Sequence, residues 1–381
     1  MTALFSPTTL RGLTLRNRTV VAPMCQYSAK DGFANDWHLV HLGRFAIGGF
    51  GLVLLEATAV APEGRISYGD LGIWKGEHLP ALTRIVDFLH SQGAAAGIQL
   101  AHAGRKASTP IPWRAGFDET EAEKADVGFE QWTPVSPSPL IHAENHNFTQ
   151  PHELDAEGIA YVIDSFVAAT VRAHQAGFDT VEIHAAHGYL LNQFLSPIAN
   201  QRTDKYGGSR ENRMRLLLEV TEAVRHVWPQ HKPLLVRLSV SDNIEGGWRT
   251  EDSVVLSREL KARGVDAIDC SSAGFDGAVI HPAAGYQVPL AQAVRVGADI
   301  PVIAVGLLGG EPKADAALVD SRAVDFIALA RGALDDPNWP QHARLALGAT
   351  DYDLWPNQTK RVSAFHRTTG AIAPTSRTIA N

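Results

Sequence analysis

Eight short apolar runs, separated by amphipathic helical stretches, constrain this chain more than any other feature. The runs fall at 18–22, 52–55, 95–100, 180–183, 234–238, 267–269, 302–305 and 325–328. Each is brief and rich in β-formers, as a strand buried on both faces must be. Helical periodicity occupies 79–92, 159–176, 212–227, 253–263 and 312–319. Gly93, Gly177 and Gly264 stand where a helix C-terminus calls for a left-handed residue. Eight strands alternating with helices predict an α/β fold, a (β/α)8 TIM barrel. A doubly wound sheet would need a glycine-rich first turn, and no GxGxxG occurs. Residues 1–340 are expected to form one barrel domain. Residues 341–381 form a tail, helical at 341–347, that packs on a neighbouring subunit or frays. Between the third and fourth strands, 109–151 carries prolines, acids, Trp113 and Trp132 without helical period. It reads as a capping lid.

The 381 residues, 45% hydrophobic and 20% charged, supply ample core. A net charge of −7 with no basic run argues against a nucleic-acid partner, because phosphate binding needs a basic face. No stretch approaches the roughly 20 apolar residues of a membrane span. The N-terminus lacks the charged and apolar regions of a signal peptide. Two cysteines, Cys25 and Cys270, are too few for a disulfide framework. A soluble cytoplasmic enzyme is the expected class.

In such a barrel, functional groups stand at the C-terminal ends of the strands. Strand order then yields the candidates: Cys25 and Tyr27; Glu56, Ala57 and Thr58; Gln99, His102, Arg105 and Lys106; His184, His187 and Tyr189; Arg237 and Ser239; Ser271 and Ser272; Gly306; Arg331. The densest is His184-Ala185-Ala186-His187-Gly188-Tyr189. Two imidazoles and a phenol at one strand end suit an oxygen that gains negative charge and a proton delivered beside it. Two loop histidines beside a packed tyrosine are the plain alternative. A zinc pair is weaker, since zinc takes three or four protein ligands and no HExxH occurs. No metal is expected. The late loops 305–307 and 330–332 pair glycine with arginine, a pattern suited to phosphate. A non-redox barrel lyase, or a metal-dependent hydrolase using His184 and His187, is the competing class.

Several segments together resemble the old yellow enzyme family. They are Val21-Ala22-Pro23-Met24-Cys25-Gln26-Tyr27, the run 97–106, His184 to Leu190, Arg202 to Ser209 and Arg237-Leu238-Ser239. Cys25 with Tyr27, Asn35-Asp36-Trp37-His38 and 61–65 resemble its thermophilic-like, xenobiotic reductase branch. The likeness runs from about residue 4 to 340. It implies a tightly bound FMN, NADPH preferred over NADH as reductant, and reduction of activated alkenes such as α,β-unsaturated carbonyl or nitro compounds. It further implies that Ala22, Pro23, Met24, Cys25 and Ala57 line the flavin. Gln99 and Arg237 would meet its pyrimidine edge, and Gly306, Ala330 and Arg331 its phosphate. His184 and His187 would hold the substrate oxygen, Tyr189 would give the proton, and Tyr27 and Lys106 would add substrate contacts. The family often has glycine at position 330. The segment Trp355 to Arg361 resembles the branch's arginine finger, with Thr359 in place of a usual tyrosine. By that likeness Arg361 enters a neighbour's site in a homodimer or larger homo-oligomer. Iron–sulfur relatives need four cluster cysteines, which this chain lacks.

Overall fold

A computed structural model describes residues 2–114, 131–142 and 149–369. Eight strands close a parallel barrel. They are β1 (Thr19–Val21), β2 (Leu52–Ala59), β3 (Ala95–Ala101), β4 (Thr180–Ala185), β5 (Leu234–Ser239), β6 (Ala267–Ser271), β7 (Val302–Ala304) and β8 (Phe326–Leu329). The expected eight runs all form strands. Six extend past the C-terminal end of their run: β2 by four residues, β4 and β6 by two, and β3, β5 and β8 by one. Polar residues continue β2, β4, β5 and β6 because the barrel, rather than local hydrophobicity, supplies their partners. Gly93, Gly177 and Gly264 have φ of 75°, 92° and 87°, the left-handed conformation anticipated at helix ends.

The helices are α1 (Asp36–Ile47), α2 (Leu79–Ser91), α3 (Ala156–Gln175), α4 (Leu190–Leu195), α5 (Arg210–Val227), α6 (Thr250–Ala262), α7 (Val288–Ala298), α8 (Pro312–Asp320), α9 (Arg331–Asp335), α10 (Trp339–Ala346) and α11 (Val362–Thr369). Side-chain caps start several: Asn35 in a capping box on α1, Asp155 on α3 and Ser209 on α5. Periodicity did not reveal α1. Its buried face mixes His38, His41 and Gly43 with Leu42 and Phe45. Gly43 is needed there, because a Cβ would lie 2.6 Å from the Phe88 ring of α2.

Two cores result. One fills the shell between strands and helices, with Phe45, Phe166, Phe178, Trp228 and Trp248 wholly buried. The other fills the barrel interior with Val20, Leu52, Leu54, Leu235, Ala267, Ile303 and Phe326. An antiparallel hairpin, Thr8–Leu10 with Leu13–Leu15, plugs the barrel's lower end. Of the expected capping segment, 115–130 and 143–148 lie outside the described residues. The flanking parts form a short parallel ladder, Val135–Ser136 with His152–Glu153. No helix among the described residues is long and apolar enough to cross a membrane.

Arg16 ties the lower end together. Its guanidinium donates to the carbonyl oxygens of Ala46, Phe50 and Gln92 at 2.7–2.9 Å. It thereby satisfies chain ends after α1 and α2 that face away from the mouth. Arg16→Ala should cost about 3 kcal/mol, the scale set by a few hydrogen bonds to a charged donor. Urea titration should show the lower midpoint, with the far-UV spectrum of the folded protein unchanged.

Candidate active site

Side chains alternate along a strand, so one parity of each barrel strand points inward. The lowest inward layer is apolar. One step up, the same parity places Gln99 on β3, Glu182 on β4, Arg237 on β5 and Asp269 on β6. Gln99 stands beside Glu182 in the ladder, and Arg237 beside Asp269. Gln99 Nε2 donates to Glu182 Oε1 at 2.8 Å, and Arg237 Nε lies 3.2 Å from Asp269 Oδ2. All four are buried. The next inward step carries His184, Ser239 and Ser271 to the mouth.

Glu56 is an extra residue in β2, where the register shifts between Leu55 and Ala57. The bulge returns Ala57 to the inward parity beside Gln99 and frees the Glu56 carboxylate. That carboxylate accepts the Gln26 N–H at 2.8 Å and so holds the Cys25 loop over the mouth.

The rim is built by tight loop contacts. His187 has φ of 58°, its N–H donates to Ser239 Oγ at 2.9 Å, and its Nε2 lies 2.7 Å from Ser271 Oγ. Gly188 and Gly274 let two loops touch, because a Cβ on Gly188 would sit 2.2 Å from the Gly274 oxygen. Lys106 Nζ bridges that junction by donating to the carbonyls of His187 and Gly274, at 3.1 and 2.9 Å. It also lies 5.4 Å from the centre of the Tyr189 ring. The His184 ring is 5.2 Å from His187 and 5.0 Å from Tyr189, each edge to face. Tyr27, Ser108, His187, Ala273 and Leu307, all in loops above the strands, have φ between 45° and 63°. Each such residue costs roughly 1–3 kcal/mol, and strain of this kind gathers at functional sites.

Burial sets the protonation states. It drives the His184 and His187 imidazoles well below the usual histidine range, with Arg237 and Lys106 adding repulsion. Both rings are neutral at physiological pH. Ala186 N–H points at His184 Nδ1 at 3.4 Å, which leaves the ring proton on Nε2. Burial holds the Tyr189 phenol well above its usual value. Burial, reinforced by Asp70 and Glu56, likewise keeps Cys25 a thiol. Cys25 and Cys270 are both free.

The donor set fits a flavin mononucleotide. Arg237 is sunk in the barrel, and its outer nitrogens make no hydrogen bond among the described residues. The N–H groups of Gly306, after β7, and Arg331, after β8, likewise donate to no described residue. Gly306 has φ of 124°, and a Cβ there would lie 3.2 Å from Tyr286 and 3.3 Å from the Gln287 nitrogen. The β7 and β8 loops abut, with the Leu308 oxygen 3.1 Å from a Cβ placed on Gly332. A deep cation and a shallower donor cradle thus occupy one mouth.

Of the anticipated residues, His184, His187, Tyr189 and Lys106 meet above the Gln99 and Arg237 layer with Cys25 and Tyr27 packed alongside, and Arg361 stands apart. That residue is exposed, on a tail that packs at the lower end. Gln341 Nε2 donates to both Ile47 O and Leu354 O, at 2.7 and 3.0 Å. The strand-end reading had assigned no role to Glu182 and Asp269, although an acid inside a short buried strand is a legible signal. It also passed over Gln287, whose buried Oε1 has no partner. Among the described residues no three His, Cys, Asp or Glu side chains gather as a metal site.

A closed barrel with a buried cation and a cradle of N–H donors at its mouth suits a flavin-dependent oxidoreductase. Residues 3–348 match the NADH:flavin oxidoreductase / NADH oxidase family, and the chain belongs to it, within the old yellow enzyme family. It is 44% identical to the NADPH dehydrogenase of Halalkalibacterium halodurans over 349 residues, 91% of this chain and 95% of that one. Identity to the NADPH dehydrogenase of Geobacillus thermodenitrificans is also 44%, with the same coverage. Among solved structures, morphinone reductase aligns with a TM-score of 0.74 at 28% identity, covering 93% of each chain. A 2-naphthoyl-CoA reductase complex aligns at 0.78 and 26% identity, covering 92% of this chain and 53% of that longer one. The protein is an FMN-containing, NADPH-dependent oxidoreductase.

Neutral buried imidazoles have a consequence for stability. Burial lowers His38, His41 and His102 from 6.5 to about 4. Between those values the unfolded chain binds more protons than the folded one. Stability therefore falls as pH drops from about 6.5 toward 4, and is regained toward neutrality. Melting temperature measured from pH 7.5 to 5 should decline below 6.5, and His102→Gln should make the decline shallower.

Proposed function

We propose that this protein is an ene-reductase acting on α,β-unsaturated carbonyl or nitro compounds. The observation that carries this reading is the mouth geometry: two neutral imidazoles and a protonated phenol within about one ring diameter, above the Arg237 and Gln99 layer. FMN, when bound there, would supply the redox chemistry between NADPH and the alkene. Gln99 and Arg237 would hold its pyrimidine edge; Gly306, Ala330 and Arg331 would hold its phosphate. Ala22, Pro23, Met24, Cys25 and Ala57 would line its ring.

His184 Nε2 donates to the carbonyl or nitro oxygen of the acceptor, and His187, fixed by Ser239 and Ser271, donates beside it. Hydride addition at the β-carbon builds negative charge on that oxygen, and a preplaced donor of this kind is worth about 2.7–4 kcal/mol. Neutral rings suit this role, because they neither release a proton prematurely nor repel Arg237. Tyr189 delivers its proton to the α-carbon. Lys106, whose ammonium already bonds two loop carbonyls, sets the height of the Tyr189 ring. Tyr27 and Trp132 pack with Cys25 and Tyr189 in one apolar cluster that walls the acceptor from water.

Tyr189→Phe should leave flavin binding and reduction by NADPH nearly unchanged, yet slow reoxidation by 2-cyclohexenone about 10²–10⁴-fold, the usual worth of positioned acid catalysis. Stopped-flow absorbance resolves the two half-reactions; equal reoxidation rates would reject Tyr189 as donor.

The reading extends to a second copy. Arg361 is exposed and its tail is anchored at the barrel's lower end, a placement that suits a neighbour's mouth rather than its own. A two-fold interface would place one such arginine in each site. Arg361→Ala should raise the KM for enones without loosening FMN. Truncation before Trp355 should also shift the protein toward monomer in sedimentation runs.

A further inference from the structure

The reading of Gln99 and Arg237 as flavin contacts leaves two acids without a task. Glu182 and Asp269 are wholly inaccessible to solvent. Each sits behind one of the two flavin contacts, Glu182 at 2.8 Å from the Gln99 amide and Asp269 at 3.2 Å from Arg237 Nε. Three of their four carboxyl oxygens, Glu182 Oε2 and both of Asp269, have no hydrogen-bond partner among the described residues. A barrel core that wanted only stability would carry apolar side chains here, as most of the layer below does. Two buried carboxyls with three oxygens lacking hydrogen bonds cost too much to be filler.

We propose that Asp269 and Glu182 are positioning residues of the flavin site, Asp269 moderating the charge that Arg237 presents to FMN and Glu182 fixing the orientation of Gln99. The division of labour follows from charge. With both acids ionised, one guanidinium would face two buried carboxylates and leave a net negative charge in a dry interior. Burial pushes both carboxyls up, Glu182 to about 8; Asp269 lies 3.2 Å from the Arg237 cation whereas Glu182 faces a neutral amide, so Glu182 is the member that keeps its proton. Asp269 then faces Arg237 as its counter-ion, and the flavin meets a cation already half offset. A neutral Glu182 still accepts from the Gln99 Nε2–H, which turns the remaining amide atoms toward the mouth.

This proposal rests on Gln99 and Arg237 meeting the flavin, and the experiment separates the two ideas. The readouts are the FMN midpoint potential, by dye-coupled spectrophotometric titration, and FMN affinity, by fluorescence of released flavin. Asp269→Asn removes the counter-charge at constant shape. It should favour reduced over oxidised FMN at least tenfold, a rise of about 30 mV for a two-electron couple. Glu182→Gln should leave the potential near that of the parent, because the carboxyl is already neutral. Glu182→Leu, which cannot accept from Gln99, should weaken FMN affinity about tenfold. If Asp269→Asn fails to fold, Asp269→Ala, which admits water, gives the same potential readout. An unchanged potential in the folded Asp269 variant, while Arg237→Met lowers it, would overturn this inference and leave the flavin contacts standing. If Arg237→Met also leaves potential and affinity unchanged, the underlying assignment of Arg237 fails instead.

Discussion

A guanidinium inside a closed barrel is the constraint around which the rest of this site is arranged. Arg237 stands on β5 with its side chain directed inward, one layer above a floor of Leu, Val, Ile and Phe. An unpaired cation there would be prohibitive to bury. It is tolerated because Asp269 lies beside it on the adjacent strand and because its outer nitrogens open toward the mouth. The same cation reaches upward, repelling a proton from His184 and His187. That one buried charge thus adds to the burial that keeps both imidazoles neutral, and on the proposed reading it also faces the flavin.

That economy needs a rigid rim. Tyr27, Ser108, His187, Ala273 and Leu307 hold left-handed conformations, and two serines, a lysine and two glycines lock the loops that carry His187. Strain of this sort persists only where packing over-determines the backbone. Here the barrel provides it: Ser239 Oγ bonds both His187 N–H and the Ala273 oxygen, so strands β5 and β6 jointly set an imidazole carried by neither. The Glu56 bulge does similar work on the opposite side, where one extra residue in β2 both re-aims Ala57 and pins the Cys25 loop.

The structural relatives place these features in proportion. Morphinone reductase matches this chain end to end, whereas the 2-naphthoyl-CoA reductase chain is almost twice the length matched. Both alignments span more than nine tenths of this chain, 92% and 93%.

The sequence by itself determined the architecture. Eight apolar runs and the glycines after their helices read directly as a barrel, because those signals are local: periodicity within one strand, backbone freedom at one turn. It also exposed His184, His187 and Tyr189, since titratable groups crowded after a strand have few other uses. α1 escaped because its buried face is half polar, and a histidine that is neutral only by burial looks like a surface residue in one dimension. Glu182 and Asp269 were visible as acids in buried strands. Their pairing with Gln99 and Arg237 depends on strand register around a closed barrel, which no single segment encodes. The extra residue at Glu56 is likewise defined only against β3. Local propensity chose the elements, and ring closure, by fixing which side chains of four separate strands share a layer, decided the chemistry.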